Sequence, residues 1–251
     1  MGRWMQKIEK HADALPTKPT KPCFVGSVGA PSGHFPKKQP ANDPMTPQQL
    51  GWLAAVASLL EVGTMHLIEA GFVDRYDLEE QALLPGSLAL NNAPSALATS
   101  PGKRFVLAMQ RNANQVQIID GGLYRHDDHV DEVAPGLVGT LTGPRPTHYR
   151  VHGEQAALFY DGDAGSALMA QVQVLTDHSL ESATMEADHT FASAHHGVAE
   201  PRGEIVLATH RTAASGLPEK VDILHQHGDH YHGEGTISLD CPDLHGAGSN
   251  E

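Results

Sequence analysis

The 251-residue chain contains no apolar run of about 18 residues, so no segment is suited to cross a bilayer as a helix and no membrane insertion is expected. Its opening, MGRWMQKIEKHADALP, carries charge but lacks the apolar stretch and small-residue cleavage site of a secretory leader, so no signal peptide is expected there. Cysteine is scarce. Cys23 and Cys241 are the only two, they lie in segments of different character, and nothing in the sequence argues for or against their pairing. Basic residues are few as well: 17 Lys and Arg stand against 30 Asp and Glu, for a net charge of -13, and the deficit lies mainly after residue 105. That region lacks the cations that phosphate binding draws on, so no nucleic-acid partner is expected; a negative field draws cations instead. No GxSxG, P-loop, GxGxxG or CxxC string is present, which leaves covalent catalysis and nucleotide chemistry without support.

What the chain does have is histidine. Of 17 histidines, most fall after Asp120, a density that a packed core does not require. Neutral imidazole is a ligand for borderline transition metals. The acidic, histidine-dense region therefore reads as a site for a divalent transition metal, Zn2+ before others.

The grammar of the chain changes twice. Residues 1–45 are rich in Pro, Lys, Gly and Ser and read as an irregular basic leader. Residues 46–81 read as a small helical segment: Thr46 can cap a helix, Pro47 suits its first turn, and Leu50, Leu53, Ala54, Ala57 and Leu60 recur at helical spacing up to Gly63. The spacing predicts a second short helix over 64–70 and a third turn over 74–81. TMHLIEA offers no Arg, Lys, Asn or Gln for base edges, so a packing role is expected and a DNA-reading one is not. Over 82–251 short apolar runs (RFVLAMQ, QVQIID, AALFYD, AQVQVL, EIVLATHR, KVDIL, TISL) alternate with Gly, Asp, Pro and Asn clusters, the pattern of many short strands.

These strands repeat. APSALATSPGKRFVLAMQ from Ala93, RPTHYRVHGEQAALFYD from Arg145 and SAHHGVAEPRGEIVLATH from Ser193 align as strand, glycine-containing turn and apolar strand, and CPDLHGAGSNE from Cys241 opens a fourth copy. A period of about 50 residues fits propeller blades. The expected fold is mainly β: a partial, incomplete β-propeller of about three to four blades with a small α-helical N-terminal segment. His148, His196 and His245 occupy equivalent points of the repeat. Such points near the innermost strands converge on a propeller's channel, so three imidazoles could share one ion, with a carboxylate or water completing a tetrahedral zinc site. His195 is the alternative to His196.

Two further clusters stand out. In RHDDHVDE, following the strand QVQIID, His126, Asp127, Asp128, His129 and Asp131 form an expected exposed loop offering two imidazoles and a carboxylate to one cation. In HQHGDHYH, His225, His227, Asp229 and His230 spell the HxHxDH string of metallo-β-lactamase-type hydrolases, so a zinc-dependent hydrolase is the alternative function. That dinuclear site needs a further His and Asp well downstream together with βα half-domains, and neither is evident. The cluster is therefore expected to be an outer-strand hairpin turn that catches metal weakly. A metal-free propeller serving as a scaffold for protein binding is the other alternative.

From about Leu84 to Glu251 the sequence resembles the β-propeller zinc metallochaperones of the periplasmic Azt-type ABC zinc transporters. The resemblance rests on QVQIIDGGLYRHDDHVDE, LTGPRPTHY, FYDGD, HHGVAEPRGE and CPDLHG. It implies a periplasmic, non-catalytic protein that holds zinc and passes it to the transporter's solute-binding protein. It also implies that His126 and His129, with Asp127 and Asp131, belong to a mobile histidine-aspartate loop, and that His148, His196 and His245 belong to a central site. The chain departs from the family at residues 1–81, in stopping soon after its fourth repeat begins, and in having no cysteine beyond Cys241 to pair with it. About three and a half blades would leave unpaired sheet edges, which predict self-association into an oligomer or low stability.

Overall fold

The computed structural model describes residues 23–25, 64–69, 72–77, 82–83 and 88–247, apart from 127–128, 214–215, 239–240 and 242. The fold is mainly β. Three short strands come first, β1 (Cys23–Val25), β2 (Thr64–Glu69) and β3 (Phe72–Asp77), followed by β4 (Ala82–Leu83) and β5 (Leu88–Ala89). The helices expected at 64–70 and 74–81 are corrected here, because β2 and β3 form an antiparallel hairpin with Thr64 opposite Asp77 and Glu69 opposite Phe72. Six residues are too few for a stable helix, and TMHLIE and FVDRYD each bring β-branched or aromatic side chains that favour cross-strand pairing. The helix expected from Thr46 lies outside the described residues.

Three four-stranded meanders follow. The first contains β6 (Ala96–Thr99), β7 (Phe105–Gln110), β8 (Gln115–Asp120) and, after the hairpin of β9 (Leu123–His126) and β10 (His129–Glu132), β11 (Gly136–Thr142). The second is β12 (Pro146–His152), β13 (Gln155–Tyr160), β14 (Gln171–Leu175) and β15 (Ala187–Thr190). The third is β16 (Ala199–Arg202), β17 (Ile205–His210), β18 (Lys220–His227) and β19 (His230–Ser238). Sheet order runs β6 to β11 in the first blade, while β15 and β19 meet edge to edge at one parallel bridge, Asp188 opposite His230, which links the second and third blades into an eight-stranded sheet. A last strand, β20 (Leu244–Ala247), pairs in parallel with β1. It lies in the fourth repeat copy, and Cys241 just before it is disulfide-bonded, which answers the question of pairing that the sequence left open.

Blade stacking explains why the sequence runs are apolar on consecutive residues. Ala156, Leu158 and Tyr160 of β13 pack with Phe105, Leu107, Met109, Val116 and Ile118 of the first blade. The alternate residues Ala157 and Phe159 pack the other way, with Val206, Ala208, Leu224 and Tyr231 of the third. A strand buried on both faces has no polar side to show. The first blade uses its remaining face, Leu97, Val106, Ala108 and Ile119, against Leu88 and Leu90. The innermost strands β12 and β16 are tied by Glu200, which accepts from Arg150 Nε at 3.0 Å and pairs with Arg202 at 3.1 Å. Among the described residues no helix is long and apolar enough to cross a membrane.

Candidate metal centre

His148 lies on the innermost strand β12, and His196 sits three residues before the next innermost strand, β16. The repeat register thus brings them together, with ring centroids 4.7 Å apart. Each ring is fixed through Nδ1. His148 Nδ1 lies 2.7 Å from the carbonyl oxygen of Gly197, and His196 Nδ1 lies 2.9 Å from Oδ2 of Asp161. An oxygen acceptor at Nδ1 selects the tautomer with its proton there and its lone pair on Nε2, the arrangement that prepares an imidazole for a metal. Gly197 is needed for the first of these contacts. A Cβ at this position would fall 2.5 Å from Phe159 Cζ and 2.9 Å from Thr209 Oγ1, so only glycine lets the backbone lie this close to the core.

Asp161 follows β13 and is the pivot of the site. Its side chain is 8% exposed, and Oδ2 accepts from both His196 and Arg111 Nη2, the latter at 2.7 Å. Burial alone would raise its pKa, but the hydrogen bonds from His196 and Arg111 outweigh it and hold the carboxyl below the ordinary aspartate value. Oδ1 is buried without a hydrogen-bond partner among the described residues. A buried anionic oxygen of this kind is costly unless something positive meets it. Arg111 is itself held by the carbonyl of Arg145 at 3.1 Å and by the hydroxyl of Thr147. The line Arg111, Asp161, His196 therefore joins three successive blades.

His195 takes a different place. It is buried, its Nδ1 and Nε2 each 3.1 Å from a carbonyl oxygen, of Ser193 and Thr209, and its ring packs edge-on to Phe159 and Phe191. Burial depresses its pKa over the opposing pull of the two carbonyls. The structure brings His148 and His196 together and turns His195 into the core. His245 lies on β20 at the equivalent position of the next repeat, its side chain outside the described residues.

The cluster at 126–131 is a hairpin rather than a loop, since β9 and β10 pair with His129 opposite His126 and Asp131 opposite Tyr124. His129 Nε2 lies 3.7 Å from Asp131 Oδ1, and both side chains are more than half exposed. Residues 127–128, including Asp127, lie outside the described ones, as does the His126 side chain.

Sequence reasoning missed Asp161 and Arg111. A signal for them existed: Arg111, Asp161 and Arg211 recur at one spacing of 50 residues, each just after the second strand of its blade. It also missed Glu234, which the hairpin of β18 and β19 places beside His225 and His227 so that one ligand atom of each lies within 4.8 Å of the others.

Stacked four-stranded meanders with neighbouring innermost strands define the chain as a partial β-propeller, here with paired imidazoles held by a buried carboxylate and a backbone carbonyl. No family model matches the sequence. Two solved structures of AztD from Citrobacter koseri, one of them the apo protein, are similar to it, each with a TM-score of 0.54 and 22% sequence identity over 67% of this chain and 44% of that chain. The chain thus spans less than half the length of the AztD chain, and the likeness is one of fold.

Proposed function

We propose that this protein binds zinc as a carrier, at a centre built on His148 and His196, and hands it to the solute-binding protein of a zinc ABC transporter in the periplasm. The observation that carries the reading is the His148–His196 pair itself, two rings 4.7 Å apart with both Nδ1 atoms engaged by oxygen acceptors. Two imidazoles with lone pairs on Nε2 are half of a tetrahedral zinc site, and Asp161 supplies the carboxylate behind one of them. The proposal takes His245 as the third ligand and the 126–131 hairpin as an exposed station where zinc enters or leaves. His196 is 31% exposed, which suits an ion that must be passed on. The similarity in fold to AztD and the motif resemblance support the carrier role, and with it a function without catalysis.

Zinc titration of protein purified without a histidine tag tests the reading. In His148→Ala, His196→Ala and His245→Ala, made separately, the same binding event should weaken at least tenfold in each. Failure of the unaltered protein to bind zinc at neutral pH, or three variants that each leave its affinity unchanged, would overturn it.

A further inference from the structure

The hairpin of β18 and β19 carries its own constellation, on a different blade edge from the inner-strand pair. Its strands pair with His225 opposite His232 and His227 opposite His230, around the two-residue turn Gly228-Asp229. Gly228 takes φ +68°, and glycine in the first turn position is what a tight hairpin of this twist asks for. Residues two apart on a strand, and residues directly opposite on its partner, share a face. All four histidines therefore project from one face, while Leu224 and Tyr231 on the other enter the core. The register then slips: Leu224 faces Gly233 and Ile223 faces Gly235, leaving Glu234 as the extra residue of a β-bulge.

The four imidazoles crowd together, and one of their nitrogens is buried without a hydrogen bond. His225 Nδ1 is buried with no hydrogen bond, 4.0 Å from Glu234 Oε1. The rings of His225 and His227 lie 5.3 Å apart, and those of His227 and His232 5.0 Å. His230 Nε2 points at His232 Nε2 across 2.9 Å, while Asp229 Oδ1 takes the other side of the His230 ring at 3.0 Å. Two nitrogens bound to one tetrahedral zinc at about 2.0–2.1 Å each stand roughly 3.3 Å apart, so these rings need only small adjustments to share an ion.

We propose that this face is a second metal site, for a borderline divalent ion such as Zn2+, with His225, His227 and Glu234 as first ligands and His232 completing the set. His230, oriented by Asp229, stands beside it. The site is independent of the inner-strand centre, is open to solvent and exchanges its ion readily. The bulge gives it a carboxylate that the HxHxDH string does not contain.

The test is zinc titration of the full-length, tag-free protein in a His148→Ala background, where the inner event is weakened at least tenfold. A second binding event of unaltered affinity should remain. His227→Ala added to that background should weaken it more than tenfold, and Glu234→Gln should weaken it measurably; histidines acting singly would lose roughly twofold or less when one of four is removed. Co2+ bound to the same background should show the strong visible absorption of a four-coordinate ion. The His227→Ala change alone must leave the thermal unfolding transition of the apo protein in place, which reports that the variant is folded. No remaining event in the background, a loss of twofold or less on His227→Ala, or a six-coordinate Co2+ spectrum would overturn the proposal, whatever becomes of the inner-strand reading.

Discussion

Replacing Asp161 by Asn separates a carboxylate that prepares a metal ligand from one that merely closes an ion pair. The substitution keeps the shape but removes the charge that His196 Nδ1 and Arg111 Nη2 share, at 2.9 and 2.7 Å. Loss of a carboxylate behind a ligating imidazole lowers metal affinity by about 10–100-fold, or about 1.4–2.7 kcal/mol. The effect on folding comes from Arg111. Breaking a buried pair costs about 3–5 kcal/mol, but Arg111 is 29% exposed and the amide oxygen can still accept one bond, so about 2 kcal/mol is expected. For a domain of this size that is a fall of roughly 4–8 °C in Tm. Calorimetric unfolding of the apo protein and zinc competition against a chromophoric chelator read the two quantities apart. A Tm that falls as expected while zinc affinity stays within twofold of the unaltered protein would refute the assignment, leaving Asp161 as a tie between blades only.

Acid should act on the apo protein in two stages. His195 is held below the usual histidine pKa by burial, so the stability it contributes is complete above about pH 6.5 and drains away as pH falls from there toward its folded pKa. Asp161, held below the ordinary aspartate value, contributes stability that is present above that value and lost only as pH falls further. Thermal unfolding from pH 8 to 3 checks this, and a Tm constant between pH 7 and 5 would contradict the first stage. Zinc affinity should fall steeply below about pH 6 as imidazoles protonate; affinity unchanged between pH 7 and 5 would point to carboxylate ligands. Gly197→Ala should destabilise the protein by about 1–3 kcal/mol through overpacking against Phe159, and should weaken zinc binding because the carbonyl that orients His148 moves with it.

The repeat was legible in the sequence because blade stacking writes itself into local pattern. Runs such as AALFY, apolar on consecutive residues, mark strands buried on both faces, and the glycine turns fall at one spacing. That register alone brought His148 and His196 together. It could not reveal which way each side chain turns, and His195 and His196 went to opposite sides of one backbone segment. The pair Thr64–Glu69 and Phe72–Asp77 was misread because six residues fit a helical and a strand period equally well, and the partner strand decides. Glu234 was hidden for a similar reason: a bulge changes which residues face one another, and its register is fixed by pairing across the hairpin.

The single bridge between Asp188 and His230, supported by the amide of Asp188 donating to the carbonyl of Asp229 at 3.2 Å, gives the eight-stranded sheet a seam. Every other junction in it is a ladder of several pairs. Local opening follows the fewest bonds, so the second and third blades can part at their outer edge while each ladder stays whole. The histidine hairpin forms one lip of that seam, so its tip belongs to the part of the sheet that yields first.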